Sequence, residues 1–172
     1  MRLGRLRTGE LLAGAGAVGL FVSLFLDWFG LDTGAFPPGF GRAIAGLMTK
    51  DGWSSLGWLM VVVLVVAIAL GAWLVISTVS ADGIVQPIAA GVLTTTAGAI
   101  AFVALLIRVL TQPDLGIGAP NAVVVVKPGA YIGLVCCFLI AAGGWVAVAD
   151  ERTDAPESRT VPPDPRPAPP LS

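Results

Sequence analysis

From Gly52 to Ala81 the chain runs 30 residues without a charged side chain. Three further blocks behave alike: Leu11 to Leu26 with 16 residues, Gly83 to Ile107 with 25, and Pro128 to Ala149 with 22. A helix needs about 20 mostly apolar residues to cross ~30 Å of hydrocarbon. Three blocks meet that length, and the first approaches it if Trp28 and Phe29 extend it into the interface, where aromatic rings are favoured. In lipid the backbone must satisfy itself, which leaves helices and closed barrels. Barrel strands alternate polar with apolar residues, and these blocks do not. Charged residues make up 12% of the chain, half the ~25% of ordinary soluble domains. The sequence therefore predicts an all-α integral membrane protein, an antiparallel bundle of four transmembrane helices. The expected spans are Gly9–Leu26, Leu56–Thr78, Ile88–Leu110 and Gly129–Ala149, and residues 1–149 form the membrane domain.

Arg and Lys set the expected orientation. Arg2, Arg5 and Arg7 precede the first span, and Arg152, Arg159 and Arg166 follow the last. Arg42, Lys50, Arg108 and Lys127 fall on the other side. The positive-inside rule then puts both termini in the cytoplasm. Reading the N-terminus as a cleaved signal peptide is the rival. Its small residues Ala13-Gly14-Ala15 would place cleavage inside the apolar run rather than after it.

Two outward segments result, 27–55 and 111–128. In the first, Ile44, Leu47 and Met48 lie at helical spacing between Arg42 and Lys50, which suits a short interfacial helix; a plain covering loop is the preferred reading. In the second, Val123 to Val126 favour extended backbone and could pair with part of the first segment. An unpaired valine edge would be adhesive. The other reading has the valines simply entering the interface before Pro128. The tail, 150–172, contains seven prolines and charges of both signs. It has too little apolar surface to offset the entropy of ordering, so disorder with polyproline II character is expected on the cytoplasmic side.

Candidates for chemistry are few. The chain has no histidine, which removes His-based acid–base catalysis, His metal ligation and Ser-His pairs. No nucleophile–base pair or metal cluster is visible, so no catalytic, cofactor-binding or metal-binding residue is assigned. A net charge of −1 offers nucleic acid no broad attraction. Glu10 sits at the start of the first span, where the helix dipole favours a carboxylate. Asp27 would sit at a helix C-terminus, where it is disfavoured, so an Asp27–Arg108 ion pair at the outer rim is the expected compensation. Small residues mark packing faces: Gly129 and Gly133 on the last span, Ala90, Thr94 and Gly98 on the third, Ala67 and Gly71 on the second. Thr94, Thr95 and Thr96 should bond back to carbonyls four residues earlier. Cys136 and Cys137 read as small filler. Trp28, Trp53 and Trp58 are expected as outer-interface anchors, with Trp73 and Trp145 at the inner one and Tyr131 at the outer start of span four.

Leu26-Asp27-Trp28-Phe29, Gly52-Trp53, Gly129-Ala-Tyr-Ile-Gly133-Leu134 and Gly143-Gly144-Trp145 give the four spans a layout that resembles the small four-span membrane proteins of actinobacteria, a group with no known activity. The resemblance implies the cytoplasmic membrane and excludes the tail. A long first loop with a shorter second also resembles claudin-like topology, without that family's paired loop cysteines. The expected role is a non-enzymatic accessory or scaffold protein of the bacterial cell envelope. Its surroundings are the lipid bilayer, and its outward loops or tail would hold a protein partner. The alternative is a small transporter or channel subunit acting as a homo-oligomer.

Overall fold

A computed structural model describes residues 7–32, 49–80, 87–111 and 124–154. It is mostly helical. The helices are α1 (Thr8–Ser23), α2 (Gly52–Ser55), α3 (Trp58–Ser80), α4 (Pro87–Thr111) and α5 (Pro128–Asp154). The strands are β1 (Asp27–Leu31), β2 (Lys50–Asp51) and β3 (Val124–Val126). Helices α3, α4 and α5 are long and apolar enough to cross a membrane. Proline begins both α4 and α5, a position where its fixed φ suits the helix and its missing N–H costs nothing. α5 runs to Asp154, five residues past the expected Ala149.

The first span ends early. α1 has 16 residues, about 24 Å at 1.5 Å per residue, and stops at Ser23 rather than Leu26. Phe25 N–H and Leu26 N–H donate to the Val22 and Ser23 carbonyls. The chain then leaves the helix as β1 instead of carrying Trp28 and Phe29 onward as an interfacial extension.

Four helices close into an antiparallel ring in the order α1, α3, α4, α5. Small residues set its spacing. A Cβ added at Gly16 would lie 2.8 Å from the Cys136 carbonyl oxygen, and one at Gly9 would lie 2.5 Å from Ala147 N. On α5, Gly143 abuts Gly9 and Ala13 of α1, while its neighbour Gly144 abuts Gly91 and Thr95 of α4. Successive residues on a helix point about 100° apart, so this glycine pair serves both flanking helices. Gly98 abuts Ala141, and Gly71 abuts Ala13 and Ala17. Ala67, Ala90 and Thr94 are buried, so the small faces expected on spans two and three do line the bundle. Val, Leu, Ile and Phe side chains cover the outside, including Val18, Val62, Ile100 and Val135. That arrangement fits lipid, where close backbone packing rather than hydrophobic burial joins helices.

At one end of the ring lies a three-stranded antiparallel sheet in the order β2-β1-β3. Phe29, Gly30 and Leu31 face Val126, Val125 and Val124. The valines thus pair with the first outward segment. Residues 33–48, which hold most of the expected interfacial helix, and the tail from 155 lie outside the described residues. Lys50, the end of that expected helix, belongs to β2.

Gly143→Ala should cost about 1–3 kcal/mol, because a methyl there meets α1 backbone that cannot swing aside. Gly57→Ala, with nothing within 4 Å of the new methyl, should be near neutral. Thermal unfolding of both variants in detergent measures the difference.

Candidate functional site

The sheet-capped end gathers the polar and aromatic residues singled out from the sequence. Trp28 is fully buried, 0% exposed, as is Phe29 beside it. This corrects the expectation of a Trp28 interfacial anchor. The reason is local: β1 turns the chain inward over the mouth of the ring. There the indole Nε1–H donates to the Ser23 carbonyl at 2.6 Å. Carbonyls of a helix's last turn lack intrahelical partners, so the indole caps α1 while its ring fills the mouth. The Ser23 hydroxyl donates to the Leu20 carbonyl at 2.8 Å.

The ring of Trp28 explains the Gly129–Gly133 step. A Cβ at Gly133 would lie 2.9 Å from the indole atoms Cη2 and Cζ2, and one at Gly129 would lie 2.8 Å from Cδ1. The two glycines form a cradle for an aromatic side chain; Gly133 also meets Leu105 of α4, while Gly129 meets Asp27 and Leu26 beside β1 rather than another helix. Around this plug, Lys127 N–H donates to the Trp28 carbonyl at 2.8 Å, and Gly52 N–H donates to the Leu24 carbonyl at 3.0 Å. A Cβ at Gly52 would sit 2.9 Å from Leu24 Cδ2. Both segments between the helices are therefore tied to the end of α1.

Asp51 caps α2. Its carboxylate accepts Ser54 N–H at 2.9 Å and Ser54 Oγ–H at 2.5 Å. These Ser54 hydrogen bonds hold the carboxyl below the usual aspartate range, hydroxyl first and amide next. The α2 C-terminal carbonyl of Ser55 accepts from Arg108 Nη2 at 3.3 Å. Asp27 is exposed on β1, in register with Asp51 of β2. The expected Asp27–Arg108 pair is not among the contacts of the described residues. Its premise lapses because Asp27 starts a strand rather than ending a helix, and Arg108 caps α2 instead.

At the opposite end, Glu10 is buried in the first turn of α1. Its carboxylate accepts Arg7 N–H at 2.5 Å. Thr78 Oγ1 of α3 lies 3.1 Å from Glu10 Oε1 and 3.0 Å from the Leu74 carbonyl; its single proton serves one at a time. Between the ends, Thr95 and Thr96 bond to carbonyls four residues back. Thr94 differs, since its hydroxyl donates across to the Leu70 carbonyl of α3 at 3.1 Å. Cys136 and Cys137 are buried free thiols, with Cys136 against Gly19. Trp58, Trp73, Trp145 and Tyr131 point outward, and Trp53 is exposed edge-on to Phe25. Among the described residues no three His, Cys, Asp or Glu side chains converge as metal ligands.

No family model, curated protein or solved structure matches this chain. Two features escaped sequence reasoning, the Trp28 plug and the Gly143–Gly144 double seam. The signal for the first was a glycine pair one turn apart, at 129 and 133, which leaves room for a large side chain.

Trp28→Phe removes the indole donor, leaving the Ser23 carbonyl with Leu26 N–H alone, and leaves part of the buried mouth unfilled. It should cost about 1–3 kcal/mol, read as a lower unfolding temperature in detergent. A depressed folded-state pKa at Asp51 means its contribution is present above the unfolded aspartate value, about 3.9, and is lost as pH falls through the lower folded value. Asp51→Asn should therefore flatten the acid limb of a stability-against-pH curve below about pH 4.

Proposed function

We propose that the chain is a four-span protein of the bacterial cytoplasmic membrane, with both termini cytoplasmic, acting as a non-enzymatic accessory or scaffold protein. The observation that carries this reading is the sheet. The two segments between spans are joined to each other and to the bundle at a single end, which makes a stable face for a partner rather than two separate loops.

Other features support the topology. The start of α1 and the end of α5 lie at the end opposite the sheet, and Arg7 caps α1 there, as the positive-inside rule requires of a cytoplasmic side. α1 is short, but Phe21, Val22, Phe25 and Leu26 are exposed and extend its apolar belt through the turn before β1. Local thinning of the bilayer accommodates a short span at modest cost. On β3, Val124 is buried and Val125 is exposed, so the sheet offers apolar surface outward. Asp27 and Asp32, both exposed, border it. The tail beyond Asp154 is the second candidate docking element, since proline-rich segments bind aromatic grooves at low entropic cost.

One observation favours a transporter or channel subunit. Glu10 is a buried carboxylate facing another helix, and ionisable groups inside membrane proteins often mark ion paths. Its place in the first turn of α1, bonded to Arg7 N–H, equally serves as a helix cap.

Gentle purification from native membranes separates the two. The expected result is a stoichiometric partner that is lost with Val125→Glu or with a chain ending at Asp154. A lone homo-oligomer that conducts ions in liposomes, with flux abolished by Glu10→Gln, would overturn the scaffold reading.

A further inference from the structure

A groove of about 410 Å³ opens on the outside of the bundle between the start of α3 and the end of α4. It lies at the sheet-capped end. Leu59, Met60, Val63, Ala104 and Ile107 form its walls, and Arg108 is its charged lining residue. The walls run from Gly57 to Val63 on one helix and from Ala104 to Thr111 on the other. At 1.5 Å per residue this is about 10 Å, a third of the ~30 Å hydrocarbon thickness. Both helices are among the three able to cross a membrane, so the groove faces acyl chains along its length and headgroups at its mouth.

Arg108 is half-buried, and among the described residues one of its nitrogens, Nη2, is engaged, by the Ser55 carbonyl. A guanidinium has five N–H donors, so the fork retains donors for a second acceptor. Among the described residues no carboxylate lines the groove. We infer that the groove binds one anionic phospholipid, its phosphate on Arg108 and one acyl chain between Met60, Val63 and Ala104. Guanidinium–phosphate pairing is charge-assisted and geometrically matched. Basic pockets between membrane helices are a recurring way of holding anionic headgroups. A zwitterionic lipid also carries a phosphate, but its ammonium would enter beside Arg108 with no acidic residue among the described lining to receive it. Charge complementarity therefore selects the anionic class.

The test uses the full chain in mild detergent, with phosphatidylglycerol or phosphatidylcholine added and retained lipid counted by native mass spectrometry. One phosphatidylglycerol per chain should persist under conditions that strip phosphatidylcholine. Arg108→Gln should weaken that retention at least roughly tenfold, as expected for losing a charged hydrogen-bond donor. Arg108→Lys should fall between. Ala104→Leu, which narrows the groove and leaves the guanidinium in place, should also reduce retention, and it keeps the test open if Arg108→Gln does not fold. Equal retention of the two lipids overturns the inference. So does undiminished phosphatidylglycerol binding in both Arg108→Gln and Ala104→Leu, or full displacement of the lipid by soluble glycerol phosphate.

Discussion

The hydrogen bond made by Trp28 sits where the two halves of this structure meet, beside those from Gly52 N–H to Leu24 and from Arg108 to Ser55. Trp28 donates its indole N–H to the Ser23 carbonyl at 2.6 Å, at the point where the chain stops being an apolar helix and becomes a strand. A helix end is a liability near lipid, because its last carbonyls need donors and water is scarce there. The indole supplies one donor and fills the mouth of the ring with the same side chain. Everything at that end follows: β1 is pinned across the mouth, β3 pairs with it, and Lys127 N–H continues the ladder to the Trp28 carbonyl. The glycines at 129 and 133 are the space this arrangement needs.

The rest of the bundle works by the opposite means, with little aromatic bulk inside and backbones in near contact. Glycine at 9, 16, 143 and 144 lets α1, α4 and α5 approach closely, and many large apolar side chains face outward while Leu20, Leu64, Leu74, Leu105 and Ile140 fill the inside. In water this would be an inverted design. In a bilayer it is sound, since lipid rewards contact between helix surfaces rather than removal of apolar area from solvent. Where a polar group does enter the seam, it has an acceptor: Thr94 reaches the Leu70 carbonyl on the neighbouring helix.

The long helices were legible because absence of charge over 20 or more residues is a strong physical signal. Their starts were legible too, within two residues, with Pro87 and Pro128 marking two of them. The valine pairing with part of the first segment was readable from β-branching, although which residues of that segment form the strand was not. Trp28 defeated the sequence argument because tryptophan has two roles near a membrane surface, anchor and plug, and only the three-dimensional course of the chain separates them. Asp27 failed for the same reason: the argument placed it at a helix C-terminus, and the helix had ended four residues earlier. Arg108 was correctly placed at the end of a span, but its acceptor, Ser55, sits in a four-residue helix too short to leave a periodic pattern. Function was the least legible, because a chain without histidine, and with no cluster of acids among the described residues, carries few residues whose chemistry names a reaction.

The account makes the sheet and the bundle mechanically one unit through Trp28. Its most direct test is amide hydrogen exchange on the full chain in nanodiscs, followed at residues 26–31 and 124–127, for the wild type and for Trp28→Ala. The expected result is that both segments are protected in the wild type and lose protection together in the variant, while the centres of α3 and α4 are unchanged. Unaltered protection of both segments in Trp28→Ala would contradict the claim that this side chain fastens the sheet to the bundle.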